Sequence, residues 1–518
     1  MNNFFLDCTF IVASSSKKSY QGLSNTYSAI EPPTWALLLA QSIRSVGFKT
    51  SIIDANAENL SDEQVFDRIN LKKSKMICFV VYGQNVNAGT ANMSGATRLA
   101  NFLKNKDSNL TISFIGSHVQ ALPIDTLKNE KNIDFVFTNE GVYALRNILN
   151  LDEITEQNLI SIKGIAFRLN GKPKINLPEK IVPNNLMDKD LPGYAWDLLP
   201  YKEKPLDLYR SPMWHAEYDF EKRSPYASLQ TSLGCQFKCN FCMINLINRN
   251  DQNEIGVASN YSGMRFWSPE FIINEFKKLI NMGVRTIRIV DEMFLLNPKY
   301  YIPLCEKLAE LNKDDQIRMW SYSRIDTIKK PEILKLVRKA GIRWLCLGIE
   351  SGDKKVRLEV DKGKFEDYNV REVIKMVHDA DINVMANYIF GLPGDTKETI
   401  KKTYDLSEEL CTAGWNTYAA MALPGSKLYY DAIENNIELP SSYEGYSFHS
   451  EECIPLPTET LSAAEVLKLR DEAYKKYHNF QPFLNLIQKK FGIQAANNIQ
   501  EMSKITLKRK IFNNETNK

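Results

Sequence analysis

Short apolar runs of strand length alternate with helical patterns through two long stretches of this chain. In the first stretch, from Phe4 to about Asn150, the strand-like runs are FFLDCTFIVA, KTSIID, MICFVVYG, LTISFIG and IDFVFT. Helical patterns separate these runs, and strands joined by helices run parallel with helices covering both faces of the sheet. Residues 1–150 are therefore predicted to form a doubly wound α/β domain.

A second alternation begins at Tyr226. Its strand-like runs are ASLQTS, VRTIRIV, IRMWSYS, IRWLCLGIE, INVMANYIFG and WNTYAAMAL. Six strand–helix units predict that residues 221–430 form a partial (β/α)6 barrel. The functional residues are expected at the carboxyl ends of its strands. Residues 151–220 contain a predicted hairpin at IAFRLNGKPKINLP and many prolines, which indicates a linker. Residues 431–518 are interpreted as a C-terminal helical region.

Composition excludes several classes of protein. The chain has 518 residues, enough for about two to four domains. Its 65 basic and 62 acidic residues leave a net charge of +3, which does not favour a nucleic-acid partner. No apolar run approaches the roughly 20 residues that span a bilayer, and the start, MNNFFLDCTFIVASSSKK, lacks a basic leader. A cytoplasmic protein without a membrane segment is expected.

Cysteine usage also favours a reducing compartment, because nine is an odd number for an exported disulfide framework. Six cysteines stand singly in apolar segments and are interpreted as buried thiols, namely Cys8, Cys78, Cys305, Cys346, Cys411 and Cys453. The other three, Cys235, Cys239 and Cys242, fall within eight residues directly after a predicted strand. Such close spacing indicates a metal site.

Two kinds of metal suit three close cysteines. A structural zinc ion takes four protein ligands, and the sequence has no second Cys-x-x-Cys or paired histidines to complete such a site. Three thiolates can instead hold three irons of a cubane cluster and leave the fourth iron open to a small molecule. The residues therefore favour an iron–sulfur cluster, with zinc as the alternative.

The loop CQFKCNFC resembles the cluster loop of the radical S-adenosylmethionine (radical SAM) family. It has the Cys-x3-Cys-x2-Cys spacing of that family, with Phe241 just before the third cysteine. The resemblance extends over about 226–430, where strand ends carry VDEMF, SYSRID, GIESG, FGLPGD and ALPGSKLY. It implies a 4Fe-4S cluster that reductively cleaves S-adenosylmethionine, a 5′-deoxyadenosyl radical that abstracts hydrogen from a small-molecule substrate, and an electron donor such as flavodoxin or ferredoxin.

The same resemblance implies residues that bind S-adenosylmethionine. The methionine amino group is expected at Asp291 and Glu292, the ribose at Glu350 and Ser351, and the adenine and carboxylate along the segment from Asn387 to Gly391, with Phe241 beside them. Arg324 has two interpretations, because its planar fork suits a carboxylate of S-adenosylmethionine or substrate and equally an ordinary ion pair. The run GLPGD is also explained as a strand-to-helix turn.

The first domain resembles the cobalamin-binding domain of cobalamin-dependent radical SAM enzymes, with PPTWALLLAQSIRSVGFKTSIIDA as its most typical stretch. Ligands of such sheets bind at the carboxyl ends of the strands. The residues expected there are Tyr82, Gly83, Gln84, Gly116, Ser117, His118, Glu140 and Gly141. The Asp-x-His-x-x-Gly motif that supplies an axial histidine is absent, so His118 is expected to be a cobalamin contact or a polar loop residue and not a cobalt ligand.

Three functions are compatible with these features. The leading hypothesis is a cobalamin-dependent methyltransferase that acts on an unactivated atom of a small molecule. The second is a cobalamin-associated cyclase or rearranging enzyme without methyl transfer, as in the anaerobic porphyrin cyclases that the layout also resembles. The third is a non-catalytic binding module stabilised by zinc. Only Cys8 and Cys78 occur in the first domain, so the auxiliary cluster of methylthiotransferases is not expected.

Overall fold

Two parallel sheets organise the structure, a computed structural model that describes residues 4–14, 16–24, 26–82, 86–200, 208–211, 225–249, 263–360 and 369–515. The first sheet has seven strands, in the order β2-β1-β3-β4-β5-β6-β7. They are β1 (Leu6–Val12), β2 (Thr50–Asp54), β3 (Ser74–Val81), β4 (Ile112–Gly116), β5 (Phe135–Phe137), β6 (Ile165–Leu169) and β7 (Lys172–Ile175). Strands β1 to β5 are parallel, which confirms the doubly wound prediction.

Strands β6 and β7 form the predicted hairpin, but the hairpin is part of the first sheet. Strand β6 pairs antiparallel with β5, with Val136 opposite Ala166. The sheet of the first domain therefore continues into the segment predicted to be a linker. A Gly-containing turn at Asn170 and Gly171, both with positive φ, closes the hairpin.

Helices cover both faces of the first sheet because its buried strands are apolar on both sides. The helices are α1 (Ser16–Tyr20), α2 (Thr34–Arg44), α3 (Asp62–Lys72), α4 (Gly89–Lys106), α5 (Ser117–Ala121), α6 (Pro123–Asn129), α7 (Val142–Leu149), α8 (Glu156–Leu159) and α9 (Met187–Asp190). Phe10 of β1 packs in one core cluster with Leu38 of α2, whereas its neighbour Ile11 packs in a second with Leu99 of α4.

The second sheet has six parallel strands in the order β15-β14-β13-β12-β11-β8. Its strands are β8 (Tyr226–Leu229), β11 (Thr286–Ile289), β12 (Arg318–Arg324), β13 (Ile342–Glu350), β14 (Asn383–Phe390) and β15 (Gly414–Ala419), and a separate short ribbon pairs β9 (Ser232–Leu233) with β10 (Arg265–Phe266). The helices between them are α10 (Pro269–Asn281), α11 (Pro298–Leu311), α12 (Pro331–Ala340), α13 (Lys354–Glu359), α14 (Val370–Asp379) and α15 (Lys397–Leu410). This order is that of the predicted partial barrel.

The C-terminal region is helical, as predicted, and contacts both domains. It contains α16 (Lys427–Glu434), α17 (Ala463–His478), α18 (Gln481–Phe491), α19 (Ile493–Ser503) and α20 (Ile511–Glu515). Phe491 stacks on Trp344 of β13, and Arg470 donates to the carbonyl of Thr417 on β15. In the described part of the chain, every helix is too short or too polar to cross a membrane.

The six single cysteines are free thiols, and five of them are buried as expected. Cys411 is the exception. It is only half-buried because it ends α15 in a left-handed conformation, with a φ of 41°.

Candidate active site

The cysteine loop follows β9, and a glycine and an asparagine fix its shape. Gly234 has a φ of 88°, and a Cβ there would lie 2.1 Å from Asn248 Nδ2. Asn245 Oδ1 accepts the N–H of Cys235 at 3.0 Å, and its Nδ2 lies 3.4 Å from the carbonyl of Phe237. The sequence around the cysteines therefore supplies both the turn and its internal hydrogen bonds.

Asp291, predicted to meet the methionine amino group, holds the start of this loop. Its carboxylate accepts from the N–H and hydroxyl of Thr231 and from the hydroxyl of Ser232, each at 2.6 Å. The side chain is almost fully buried, and burial raises its pKa while these hydrogen bonds oppose the rise. Asp291 thus links the end of β11 to the entry of the loop, a positioning role that the sequence did not indicate.

Glu292 is the carboxylate of this pair without a protein partner. Among the described residues it has no hydrogen bond or ion pair, and its charge acts on Cys235 and Cys242. Burial raises the pKa of Glu292 to about 7, and the nearby guanidinium of Arg288 opposes this shift. A bound ammonium group would stabilise the ionised form, so the prediction for the amino group rests on Glu292.

Two hydrogen bonds are directed at the thiols. Arg324 Nη1 lies 3.8 Å from Cys239 Sγ, and the N–H of Phe237 donates to Cys235 Sγ at 3.5 Å. The Arg324 guanidinium lies 3.8 Å from the centroid of the Phe237 ring, and its Nε and Nη2 donate to the two oxygens of Asp326 at 2.9 Å each. The ion pair considered for Arg324 is therefore present, and contact with a carboxylate of S-adenosylmethionine or substrate stays a prediction.

These donors fit an iron–sulfur cluster. Burial raises the pKa of the Cys235 thiol to about 11 and also raises that of Cys242, so a metal is needed to deprotonate them. Positive charge and N–H donors at the sulfurs stabilise the thiolates once formed. In the described ranges, no three His, Cys, Asp or Glu side chains could hold one metal ion, whereas each thiolate of a cubane cluster binds a separate iron.

The predicted ribose contacts lie at the end of β13. Glu350 is buried with a φ of 65°, at a break in the register between β13 and β14. The Ser351 hydroxyl is fully buried and lies 3.2 Å from the Thr403 hydroxyl, which also accepts the N–H of Gly352 at 2.9 Å. Ser351 therefore fixes the turn to α15, and the ribose contact stays a prediction.

At the ends of β14 and β15 the predicted residues divide between polar contacts and turn geometry. Asn387 Oδ1 accepts from Asn416 at 3.3 Å and from the Tyr418 hydroxyl at 3.4 Å. Gly391 has a φ of 81°, and a Cβ there would lie 2.5 Å from Val466. Asp395 accepts the N–H of Gly391 at 3.0 Å, so GLPGD forms the strand-to-helix turn considered as its alternative.

Phe241 lies near the carboxyl ends of β14 and β15. Its ring packs against a cluster that contains Ile389 in β14, Leu392 after β14, and Ala420 and Ala422 after β15. The aromatic residue of the cysteine loop therefore reaches across to the predicted adenine side of the barrel.

At the carboxyl edge of the first sheet, Gly83 and Gln84 lie outside the described residues. The hydroxyl of Tyr82 accepts from Gln120 Nε2 at 2.7 Å. Gly116 permits a close approach of strands, because a Cβ there would lie 2.1 Å from the Val81 carbonyl oxygen. Ser117 is buried beside Gly89, and Gly141 begins α7 with a φ of 77°.

His118 faces the protein interior. It is 6% exposed, its Nδ1 lies 3.2 Å from the Thr90 hydroxyl, and Tyr443 of the C-terminal region packs edge-on at 5.1 Å between ring centroids. Burial lowers the pKa of His118 to about 4. The residue is buried in helix α5 and not in a loop, and the cobalamin contact stays a prediction.

Glu140, predicted to contact cobalamin, has partners within the protein. Its Oε1 accepts the N–H of Val182 at 2.5 Å, and its Oε2 lies 2.7 Å from Arg265 Nη2 of the barrel domain. The carboxylate therefore joins the two domains, because both of its oxygens face protein donors. No periodicity or motif reports a partner 125 positions away, so the sequence could not reveal this pair.

Gln120 and Thr138, which no motif in the sequence marks, lie at the same edge. Gln120 Oε1 and Thr138 Oγ1 are buried atoms without a hydrogen-bond partner among the described residues. Thr138 directly follows β5, so its position after a strand was the available signal. Unpartnered polar atoms at the carboxyl edge of a doubly wound sheet fit the polar groups of a nucleotide-bearing ligand such as cobalamin.

Two family models match this chain. The model described as Radical SAM superfamily matches residues 229–407, which include the three loop cysteines, and the model described as B12 binding domain matches residues 20–149. The first range falls on the partial barrel and the second on the doubly wound sheet.

Three curated relatives illustrate the similarity. An uncharacterized methyltransferase of Pyrococcus horikoshii is 25% identical over 418 residues, covering 80% of this chain and 82% of that protein. An anaerobic magnesium-protoporphyrin IX monomethyl ester cyclase of Cereibacter sphaeroides is 23% identical, covering 80% of this chain and 62% of the cyclase. Hopanoid C-2 methylase of Rhodopseudomonas palustris is 30% identical over 188 residues, 35% of this chain and 33% of that protein.

Two solved structures share the fold. The radical S-adenosylmethionine methyltransferase TsrM from Kitasatospora setae, with cobalamin and a 4Fe-4S cluster bound, has a TM-score of 0.64 at 12% identity, covering 96% of this chain and 99% of TsrM. The cobalamin-dependent S-adenosylmethionine radical enzyme OxsB has a TM-score of 0.57 at 17% identity, covering 83% of this chain and 55% of OxsB. With both domain models matched in the order of its two sheets, the chain belongs to the radical SAM superfamily, among the enzymes that carry a B12-binding domain.

Proposed function

We propose that this chain is a methyltransferase that cleaves S-adenosylmethionine to activate an unreactive atom of a small molecule and methylates that atom through cobalamin. The observation that carries the proposal is direct packing of the cobalamin edge on the cysteine loop. The N–H of Met243, next to the third cysteine, donates to Asn87 Oδ1 at 3.3 Å. Ala121 after β4 packs in one cluster with Met243 and Leu246. Cofactors held at these two edges would share one reaction space.

In this proposal the side chains of the protein bind and orient the cluster and S-adenosylmethionine. Cys235, Cys239 and Cys242 provide the thiolates, and Glu292 provides a carboxylate for the ammonium group of S-adenosylmethionine. When bound, the cluster supplies the electron for cleavage and cobalamin supplies the methyl group. Arg324 keeps a positive charge against Cys239, and Asp291 keeps the loop in register with β11.

Similarity supports methyl transfer over other radical chemistry. The Pyrococcus relative is named a methyltransferase, the Rhodopseudomonas relative a methylase, and TsrM is a methyltransferase whose fold matches nearly the whole chain. The substrate class is a small molecule. An electron donor such as flavodoxin or ferredoxin and a cytoplasmic location belong to the proposal, because all nine cysteines are free thiols and the cluster needs a reducing compartment.

A ring-forming reaction without methyl transfer is the second candidate. It is favoured by the similarity to the Cereibacter cyclase, which covers 80% of this chain. This chain covers only 62% of that cyclase, so the cyclase has a further region without a counterpart here.

Methyl-deuterated S-adenosylmethionine distinguishes the two candidates. The protein, purified without oxygen and reconstituted with iron, sulfide and cobalamin, would be incubated with a reductant and candidate small molecules. Methyl transfer predicts deuterium in the product together with both 5′-deoxyadenosine and S-adenosylhomocysteine. Substrate conversion with an unlabelled product, and no S-adenosylhomocysteine, would reject methyl transfer in favour of the cyclase-type reaction.

A further inference from the structure

Arg288 in β11 is a buried cation, and one edge of its guanidinium makes no hydrogen bond to the described residues. Its side chain is 1% exposed, and its Nη1 donates to Glu31 Oε1 at 2.8 Å. The hydroxyl of Tyr226 donates to the other oxygen of Glu31, also at 2.8 Å. In contrast, Nε and Nη2 of Arg288 have no hydrogen-bond partner among the described residues. These two atoms form the fork through which a guanidinium binds two acceptors at once.

Elsewhere this chain fills the same fork with a carboxylate. Three examples in which the two atoms bind the two oxygens of one carboxylate are Arg324 with Asp326, Arg371 with Glu409 and Arg509 with Asp471. Buried N–H groups without an acceptor destabilise a fold, so native proteins pair nearly all of them with protein, water or ligand. The empty fork of Arg288 therefore indicates a partner other than the described residues.

Trp320 on the neighbouring strand repeats the pattern. Its Nε1 is buried without a partner, and the carbon of the Arg288 guanidinium lies 4.5 Å from the centroid of its ring. The centroid of the Tyr322 ring, two residues further along β12, lies 5.3 Å from the same carbon. A guanidinium that stacks on a ring directs its N–H bonds sideways, away from the ring face. Because arginine and the indole N–H only donate, the missing partner must present acceptors.

These donors face the interior of the barrel. Trp320, Tyr322 and Arg324 alternate along β12, so their side chains lie on one face of the sheet. Arg324 on this face lies 3.8 Å from Cys239 Sγ of the cysteine loop, and the Arg288 guanidinium lies over the Trp320 and Tyr322 rings of the same face. The first domain closes the same space, because it contributes Glu31.

Charge balance selects the kind of acceptor. Glu31 already neutralises Arg288, so a second carboxylate on the free fork would leave net negative charge in a buried site, which is strongly unfavourable. A carbonyl or amide oxygen satisfies the same donors without adding charge. The rings of Trp320 and Tyr322 beside the guanidinium favour a flat, aromatic body on the molecule that carries this acceptor.

We propose that the barrel interior is the substrate chamber and that the Nε–Nη2 fork of Arg288, with Trp320 Nε1 beside it, binds a neutral carbonyl- or amide-type group of an aromatic substrate. This inference rests on the proposed function, since it names the substrate class of the same site. Glu292 lies past the end of β11, so a molecule held at Arg288 extends along this strand toward the cysteine loop.

Benzamide and benzoate, which have the same shape and differ in charge, test the assignment. Binding to the protein reconstituted with cluster and cobalamin would be followed by tryptophan fluorescence and equilibrium dialysis. We expect benzamide to bind saturably and benzoate to bind with a Kd at least about tenfold higher. Arg288→Gln should weaken benzamide binding by a similar factor. Arg371→Gln, which alters an exposed arginine fork far from the barrel interior, should leave it unchanged.

A second variant keeps Arg288 and therefore covers the case in which Arg288→Gln fails to fold. Glu31→Gln preserves an amide oxygen for Arg288 and removes the negative charge, so benzoate should gain at least about tenfold in affinity. Absence of saturable benzamide binding in both wild type and Glu31→Gln would show that buried water satisfies these donors and would overturn the proposal. If the wild type bound benzoate more tightly than benzamide, the inference that the acceptor group is neutral would be overturned. These binding measurements involve no turnover, so a negative result would not argue against methyl transfer. Likewise, an unlabelled product in the deuterium experiment would not argue against substrate binding at Arg288.

Discussion

Glu140 Oε2 of the first domain lies 2.7 Å from Arg265 Nη2 of the barrel domain, and the two side chains are 1% and 7% exposed. The arginine also donates to Asn248 Oδ1 and to the carbonyl of Val182, each at 2.8 Å. One buried ion pair therefore joins the cobalamin-binding edge, the connecting segment and the region that carries the cysteine loop. This pair is one of the contacts that dock the two domains.

Glu140→Ala should destabilise the protein strongly. The substitution leaves Arg265 buried without its carboxylate, which costs about 3–5 kcal/mol when one partner of a buried pair is removed. Chemical denaturation followed by circular dichroism measures the loss. Asp197→Ala is the matched control, because its pair with Arg44 is exposed and such pairs contribute about 0–1 kcal/mol. Equal losses in the two variants would contradict the docking role.

Single alanine substitutions of Cys235, Cys239 and Cys242 should each abolish the cluster. Three thiolates are the minimum that holds a cubane with one open iron, so loss of any one leaves the cluster labile. Iron and sulfide analysis with electron spin resonance after anaerobic reconstitution measures the effect. Cys346→Ala, which removes a buried thiol on β13, should retain the full signal. A cluster that persists in any of the three loop variants would refute the ligand assignment.

Arg324→Gln should make the cluster harder to reduce. Arg324 Nη1 lies 3.8 Å from Cys239 Sγ, and removing its positive charge leaves Asp326 unpaired beside the thiolates. The midpoint potential should become more negative, by on the order of tens of millivolts, since nearby charge tunes such clusters. A spectroscopic redox titration detects the shift. The double variant Arg324→Gln with Asp326→Asn removes both charges and should shift less, whereas an equal or larger shift would argue against an electrostatic cause.

His118 should make the protein sensitive to mild acid. Burial lowers its pKa to about 4 in the folded protein from an ordinary value of 6.5, so the folded state resists protonation. The resulting stabilisation is complete above pH 6.5 and is lost as the pH falls from 6.5 to about 4, an effect of about 3 kcal/mol.

The comparison with His118→Gln isolates this effect. Other buried groups titrate over the same range, including Asp54, whose pKa burial raises to about 6, but they are common to both proteins. Thermal denaturation from pH 7 to pH 4 should therefore show a shallower loss of stability in the variant. Parallel curves would show that His118 is not the responsible group.

Strands and helices followed from the sequence because their periodicity is local. The strand-like runs that start at Met76 and Leu110 overlap strands β3 and β4, and two of the helices between the barrel strands begin at Pro298 and Pro331. A proline in the first turn lacks the N–H that a helix leaves unpaired at this position, so it marks the start. The hairpin at 165–175 was also recognised, but its place at the edge of the first sheet was not, because pairing with β5 is a long-range contact.

The candidate site divides in the same way. The cysteine spacing, the glycine turn at Gly391 and the resemblance to cobalamin-binding domains are properties of short segments, and the sequence carries them. The partners of Asp291, Glu140 and His118 come from 60, 125 and 325 positions away, namely Thr231, Arg265 and Tyr443. The structure shows these contacts within the protein, and the ligand contacts expected of the three residues stay predictions.

By itself, the amino-acid sequence determined which segments form strands and helices, where three thiols can hold a cluster, and that two α/β domains follow one another. Tertiary structure alone decided which polar groups remain free for ligands. That outcome depends on every neighbour around a buried atom, since a donor or acceptor is available only when no residue from elsewhere in the chain has satisfied it.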